Sequence, residues 1–186
     1  MFCNYEYYPT SFCGNKNILF FSGNNRYNVE GLNWFIDNVF PLILSRFPDA
    51  RLLIGGGISQ NIDFSKLLNV INYGFVENVD DFFAQGDVVI NPTYQGTGLK
   101  IKTFEAISYS KVVMVHPHSM IGIYNSQHAP IFSSDSPQDW VEYLSTVWND
   151  KSIIMKKKCE CEIYIREMNN FIRNEYERFF NSINVI

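Results

Sequence analysis

The sequence has no excess of basic residues, no long apolar run, and little cysteine or histidine. Each absence closes a class of function. Lys and Arg number 15 against 19 Asp and Glu, for a formal net charge of −4. Nucleic-acid binding needs a basic face that neutralises phosphates, so a nucleic-acid partner is not expected. No stretch approaches the roughly 20 apolar residues that cross a bilayer, so no transmembrane segment is expected. The opening Met1-Phe2-Cys3-Asn4-Tyr5-Glu6 lacks the basic and apolar regions of a secretory signal. Of the four cysteines, Cys3 and Cys13 are separated by nine residues, and Cys159 and Cys161 form a lone C-x-C. Neither pair has zinc-ligand spacing, and no further Cys or His completes a set. All four read as reduced thiols of a cytoplasmic protein, with a disulfide between the first two as the alternative. His116 and His118 flank Pro117 but want a third ligand, so they read as polar loop residues and no metal is expected.

What is there is an ordinary globular composition. Of 186 residues, 46% are hydrophobic, which excludes disorder and suits one domain with a sizeable core. Residues 1–16 show no periodicity and read as an arm or linker. From Asn17 onward, short apolar runs alternate with helical patterns. Strands are expected at Asn17–Phe21, Arg51–Ile54, Val70–Tyr73, Asp87–Ile90 and Lys111–Val115, with a sixth at Ala129–Phe132 placed on an edge by Pro130. Val29, Leu32, Ile36, Val39, Phe40, Ile43 and Phe47 fall at helical spacing, with Asn28 as the expected N-cap and a break at Pro41. Further helices are expected over 61–68, 78–85, 99–109, 137–149 and about 152–183, the last with Ile165, Met168, Ile172, Phe179 and Ile183 on one apolar face. Strands apolar on both faces, alternating with helices, predict a Rossmann-like α/β domain. Its parallel sheet should hold about six strands with helices on both faces. The expected division is an arm over 1–16, a domain over 17–150 and a helical tail over 151–186.

In such sheets ligands bind beyond the carboxyl ends of the strands, so the loops there hold the candidate chemistry. The first loop, Ser22-Gly23-Asn24-Asn25-Arg26, leads into a helix. Gly23 would let backbone approach a ligand, and Arg26 could supply a forked donor to an anion. An Asn-capped turn explains the same residues. A second loop runs Gly96-Thr97-Gly98-Leu99-Lys100-Ile101-Lys102 into a helix carrying Glu105. Lysines in a first helical turn oppose the helix dipole, and a bound diphosphate resolves that conflict. A carboxylate just beyond it could accept hydrogen bonds from ribose hydroxyls. In the third loop, Gly74-Phe75-Val76, two apolar side chains could flank a flat ring. A hydrophobic staple is the plainer account.

Taken in order, these segments resemble the C-terminal, nucleotide-sugar-binding half of GT-B glycosyltransferases, in the retaining group called family 4 or glycosyl transferases group 1. The resemblance is carried by Ile18 through Trp34-Phe35, by Phe47-Pro48-Asp49-Ala50-Arg51-Leu52-Leu53-Ile54-Gly55, by Gly74-Phe75-Val76 through Asn91-Pro92, and by Gly96 through Ala106. It covers roughly residues 17–125. It implies transfer of a hexose-type sugar from a nucleoside diphosphate sugar, such as a UDP- or GDP-sugar, to a hydroxyl with retention and without a metal. Polysaccharide biosynthesis is the expected setting. Glu105 would bind the donor ribose. Lys102 and Lys100 would neutralise the diphosphate with the amides around Gly96, Thr97 and Gly98, and Lys102 and Glu105 are the catalytic candidates. Gly23 and Arg26 would approach the phosphates, and Phe75 and Val76 would border the base. Thr97 stands where many members carry the first Glu of an E-x7-E pair. Ser110-Lys111 replaces the usual glycine-proline turn. The resemblance also implies an acceptor-binding N-terminal domain, in cis or as a separate subunit, for which there is no room before residue 17. The chain is therefore expected to be a truncated form, a fragment or a split-enzyme subunit, inactive alone. The cytoplasm is the expected location, with the cytoplasmic membrane face as an option for a full-length enzyme. A GT-B sugar-nucleotide epimerase and a non-catalytic nucleotide-binding module are the alternatives.

Overall fold

A computed structural model describes residues 5–97 and 101–183; the Asn61 side chain is outside this description. Six strands form one parallel sheet: β1 Asn17–Phe21, β2 Arg51–Gly55, β3 Val70–Gly74, β4 Val88–Asn91, β5 Val112–Val115 and β6 Ile131–Ser133. Their order across the sheet is β3-β2-β1-β4-β5-β6, every neighbouring pair being parallel. Order reverses between β1 and β4, and the loops that leave those two strands diverge there to open a crevice.

The alternation of side chains along each strand builds two cores. Ile18, Phe20, Leu52, Ile54, Val88, Ile90, Val112 and Met114 point to one face. Leu19, Leu53, Val89, Val113 and Val115 point to the other. The first face is covered by α1 (Arg26–Trp34), α2 (Phe40–Arg46) and α5 (Pro137–Asn149), with Trp140 fully buried. The second is covered by α3 (Val79–Phe83), α4 (described over Ile101–Ser108) and the first half of α6 (Lys151–Ile183).

Several local expectations are corrected. Asn25, not Asn28, caps α1; its side chain accepts the Asn28 N–H at 3.0 Å, which puts Asn28 inside the helix. The break at Pro41 is a five-residue π-turn, Phe35–Val39, after which α2 restarts with Pro41 in its first turn. Proline is tolerated there because it has no N–H to leave unpaired. The helix expected over 61–68 is replaced by two short 3-10 turns, Gly57–Asn61 and Phe64–Lys66. β3 lies at an edge rather than between two covered faces, with Ile71 and Tyr73 partly exposed. On α6, Ile165 and Met168 are buried, but Phe179 and Ile183, expected on the same apolar face, are exposed.

The arm before β1 packs across the amino end of the sheet. The Tyr8 N–H donates to the Ser108 carbonyl at 2.8 Å. Asn169 on α6 accepts the Tyr5 N–H at 3.1 Å and donates back to the Tyr5 carbonyl at 2.8 Å. Asp87 accepts from the backbone N–H groups of Cys13 and Gly14, both at 3.0 Å. Cys13, Cys159 and Cys161 are free thiols, and Cys3 lies outside the described residues.

Candidate active site

At the carboxyl end of the sheet, two adjoining clefts of about 380 Å³ each meet where β1 and β4 part. The first is polar. Gly23 and Asn28 line it from one side, Asn91, Thr93, Gly96 and Thr97 from the other. The second is more apolar and runs from Gly23 past Gly56 and Gly57 to Phe75, Val76 and Glu105. Gly23, Ile101 and Lys102 border both.

The structure therefore brings together Gly23, Phe75, Val76, Gly96 and Thr97 from three loops distant in sequence with Lys102 and Glu105 of α4. Arg26 is not among the residues lining either cleft. Its guanidinium is exposed and pairs with Glu30 one turn along α1, at 2.6 Å. Gly98 and Lys100 lie outside the described residues.

Local chemistry explains the shape. Gly96 has φ of +99°, and a Cβ there would sit 3.0 Å from the Tyr27 ring, so backbone geometry and packing both favour glycine. Its carbonyl accepts from His118 Nε2 at 2.8 Å, and the Ser119 hydroxyl donates to the Thr93 carbonyl at 2.7 Å. The segment after β5 thus latches the glycine loop at two points. Sequence reasoning left His118 as a plain loop residue, because a contact across 22 positions has no local signature.

Lys102 is held rather than waving in solvent. Its ammonium donates to Asn28 Oδ1 at 2.6 Å and to Thr93 Oγ1 at 3.0 Å, and sits 5.1 Å from the centre of the Phe20 ring. Asn91 donates to Thr103 Oγ1 at 3.0 Å, while its buried Oδ1 has no partner among the described residues. Burial raises the Glu105 carboxyl above the usual carboxylate range. A desolvated carboxylate of this kind is stabilised by hydroxyl donors. Phe75 is 86% exposed beside it, an apolar ring presented to the cleft mouth and not to a core. The arrangement offers a cation at the centre, a carboxylate one helical turn away and a flat apolar surface at one end. Among the described residues, no group of three or more His, Cys, Asp or Glu could hold a metal ion. No helix among them is long and apolar enough to cross a membrane.

The sequence is 28% identical over 97 residues to an uncharacterized 44.6 kDa protein of the cps region of Klebsiella pneumoniae, covering 47% of this chain and 25% of that protein. The fold is similar to that of S. aureus TarM, with a TM-score of 0.77 and 16% identity over 97% of this chain and 38% of that one. It is similar also to Anabaena HepE in complex with UDP and glucose, with a TM-score of 0.69 and 15% identity over 94% of this chain and 54% of that one. The chain therefore spans between a quarter and about half of these relatives' lengths. Its architecture is that of the C-terminal domains of GT-B glycosyltransferases. The family model for glycosyl transferases group 1 matches residues 15–150, which include every described residue of both clefts, and the chain belongs to that family.

Proposed function

We propose that this chain is the donor half of a retaining glycosyltransferase, binding a nucleoside diphosphate sugar such as a UDP- or GDP-sugar for transfer of a hexose-type unit to a hydroxyl acceptor. The observation that carries the reading is the place of Lys102, a held cation bordering both clefts. In this reading the base and ribose occupy the apolar cleft. Phe75 and Val76 border the base, and Glu105 accepts from the ribose diol, which relieves its desolvation. The diphosphate lies across Lys102 and the glycine backbone at Gly23 and Gly96–Gly98, with Lys100 as a second cation. The sugar extends into the polar cleft toward Thr97, Thr93 and Asn91. Charge that develops on the leaving diphosphate is stabilised by these fixed groups, with no metal required. Arg26 would have to release Glu30 to take part.

Residues 17–150 form the nucleotide-sugar domain in this proposal, flanked by the arm over 1–16 and the tail over 151–186. Acceptor binding belongs to a preceding domain, supplied in cis or by another subunit, so the chain alone does not turn over. An apolar groove of about 820 Å³, lined by Phe104, Tyr124, Met168, Phe171 and Phe179, adjoins the clefts through Ile101 and is the surface such a domain would cover. The proposed location is the cytoplasm, or the cytoplasmic face of a membrane for a longer protein.

Calorimetric titration with UDP, GDP and ADP tests the reading. One nucleotide should bind, and Lys102→Ala and Glu105→Ala should each weaken it at least tenfold, the scale of a charge-assisted hydrogen bond. A folded chain that binds none of the three, or binds one with neither substitution mattering, overturns it.

A further inference from the structure

We propose that Asn28 is a positioning residue. It fixes the Lys102 ammonium where the two clefts meet and ties it to the loop after β1. The inference rests on the donor-site reading above for its functional meaning. Its structural basis is independent of that reading.

Asn28 is 8% exposed and spends both ends of its amide on the site. Its Nδ2 donates to the Gly23 carbonyl at 3.0 Å, and its Oδ1 accepts from Lys102 at 2.6 Å. An ammonium only donates and a carbonyl only accepts, so the amide has one workable orientation. Thr93 completes the clamp. Its hydroxyl accepts from Lys102 at 3.0 Å and donates to Asn28 Oδ1 at 3.4 Å. Backbone packing holds these partners in place. One turn along α1, a Cβ on Gly31 would fall 2.8 Å from Thr93 Cα and 2.9 Å from the Pro92 carbonyl oxygen. Only glycine lets α1 approach the loop after β4 this closely. A free lysine side chain loses rotamer entropy when it meets a ligand; here most of that loss accompanies folding. The cation is preorganised, and the loops after β1 and β4 move as one unit around it.

Two measurements test this in the full chain. The first needs no ligand. Acetylation of Lys102 by acetic anhydride, followed by peptide mass spectrometry, should run several-fold faster in Asn28→Ala than in the wild type. Lys156, whose side chain is 77% exposed, serves as the unchanged control. Equal Lys102 labelling in the two proteins overturns the clamp.

The second compares UDP with uridine. Asn28→Ala should bind UDP roughly tenfold more weakly, the scale of one hydrogen bond to a charged group, and bind uridine unchanged. In a Lys102→Ala background the same substitution should cost nothing further. Equal losses for UDP and uridine, or additive losses, would mean that Asn28 merely supports α1, and would overturn the proposal. A folded wild type that binds neither UDP nor uridine takes GDP with guanosine, then ADP with adenosine, through the same comparison; one that binds none of the three pairs would remove the donor reading, while the labelling result still decides the clamp. Should Asn28→Ala lose its thermal transition, Thr93→Val removes the neighbouring hydrogen bond and goes through the same two measurements.

Discussion

The two ends of the sheet each hold a lysine out of bulk water, and they hold it differently. At the amino end, Lys111 is fully buried and donates to the Gly86 carbonyl at 2.8 Å. Around it, Asp87 is saturated by the Cys13 and Gly14 amides and has Lys158 Nζ 3.9 Å away. That end is closed, and its polar groups answer one another. At the carboxyl end, Lys102 also has partners, yet it borders two clefts, with the Asn91 Oδ1 lacking a partner among the described residues and the Phe75 ring exposed nearby. The teaching of the pair is that burial of a charge does not by itself mark a functional site. A polar cluster satisfied on all sides is structure, and one that borders a cavity with partners left over is a site.

The contrast can be broken most forcefully at Asp87. Asp87→Ala leaves the Cys13 and Gly14 amides without their acceptor and takes the carboxylate away from Lys158, in a buried place. The expected loss is about 3 kcal/mol of unfolding free energy, read from urea denaturation. Nucleotide affinity of the folded protein should not change. A loss of affinity would show that the two ends are coupled. Phe75→Ala makes the opposite cut. An exposed ring contributes little to folding, so stability should move by less than about 0.5 kcal/mol. Nucleotide affinity should fall about tenfold, as loss of one base-stacking surface would give. Equal affinity in the two proteins would mean that the base lies elsewhere.

The comparison is sharpened further through pH. Burial lowers Lys111 from an ordinary 10.5 to about 8 in the folded protein. Below pH 8 both the folded and unfolded states carry the charge, and the cost of burying it is fully present. Between about 8 and 10.5 the unfolded state binds more protons, so stability contributed by this group rises with pH. The difference in urea midpoint between the wild type and Lys111→Met should therefore shift in favour of the wild type across that window. A difference that stays flat with pH would mean that Lys111 keeps an ordinary proton affinity.

Much of the fold was legible because its signals are local. Asn17–Phe21, Arg51–Gly55, Val88–Asn91 and Val112–Val115 are apolar runs bounded by turn residues, and each is a strand. Val70–Gly74 was legible as a strand but not as an exposed edge, since edge position depends on strand order. At the site, Gly23, Phe75, Val76, Gly96 and Thr97 border the clefts because each lies on a loop that leaves the carboxyl end of a strand. Arg26 does not line the clefts because Glu30, four residues on, pairs with it. The parts that Asn28, Thr93 and His118 play at the site were not legible because their partners lie 5 to 74 positions away. One clue was present. Asn28 precedes Gly31 and Leu32 by three and four residues, so it shares the buried face of α1, and a polar residue on such a face needs a partner.

The asparagine clasp between Tyr5 and Asn169 has a mechanical consequence. It joins positions 164 residues apart by a reciprocal pair of hydrogen bonds, closing the chain into a loop around the sheet. Tension arriving along the backbone ahead of Tyr5 would load α6 first and reach β1 only after the clasp opens. Pulled from that side, the molecule should yield first at this clasp, freeing the arm ahead of β1, while α6, the parallel sheet and the crevice at its far end keep their shape.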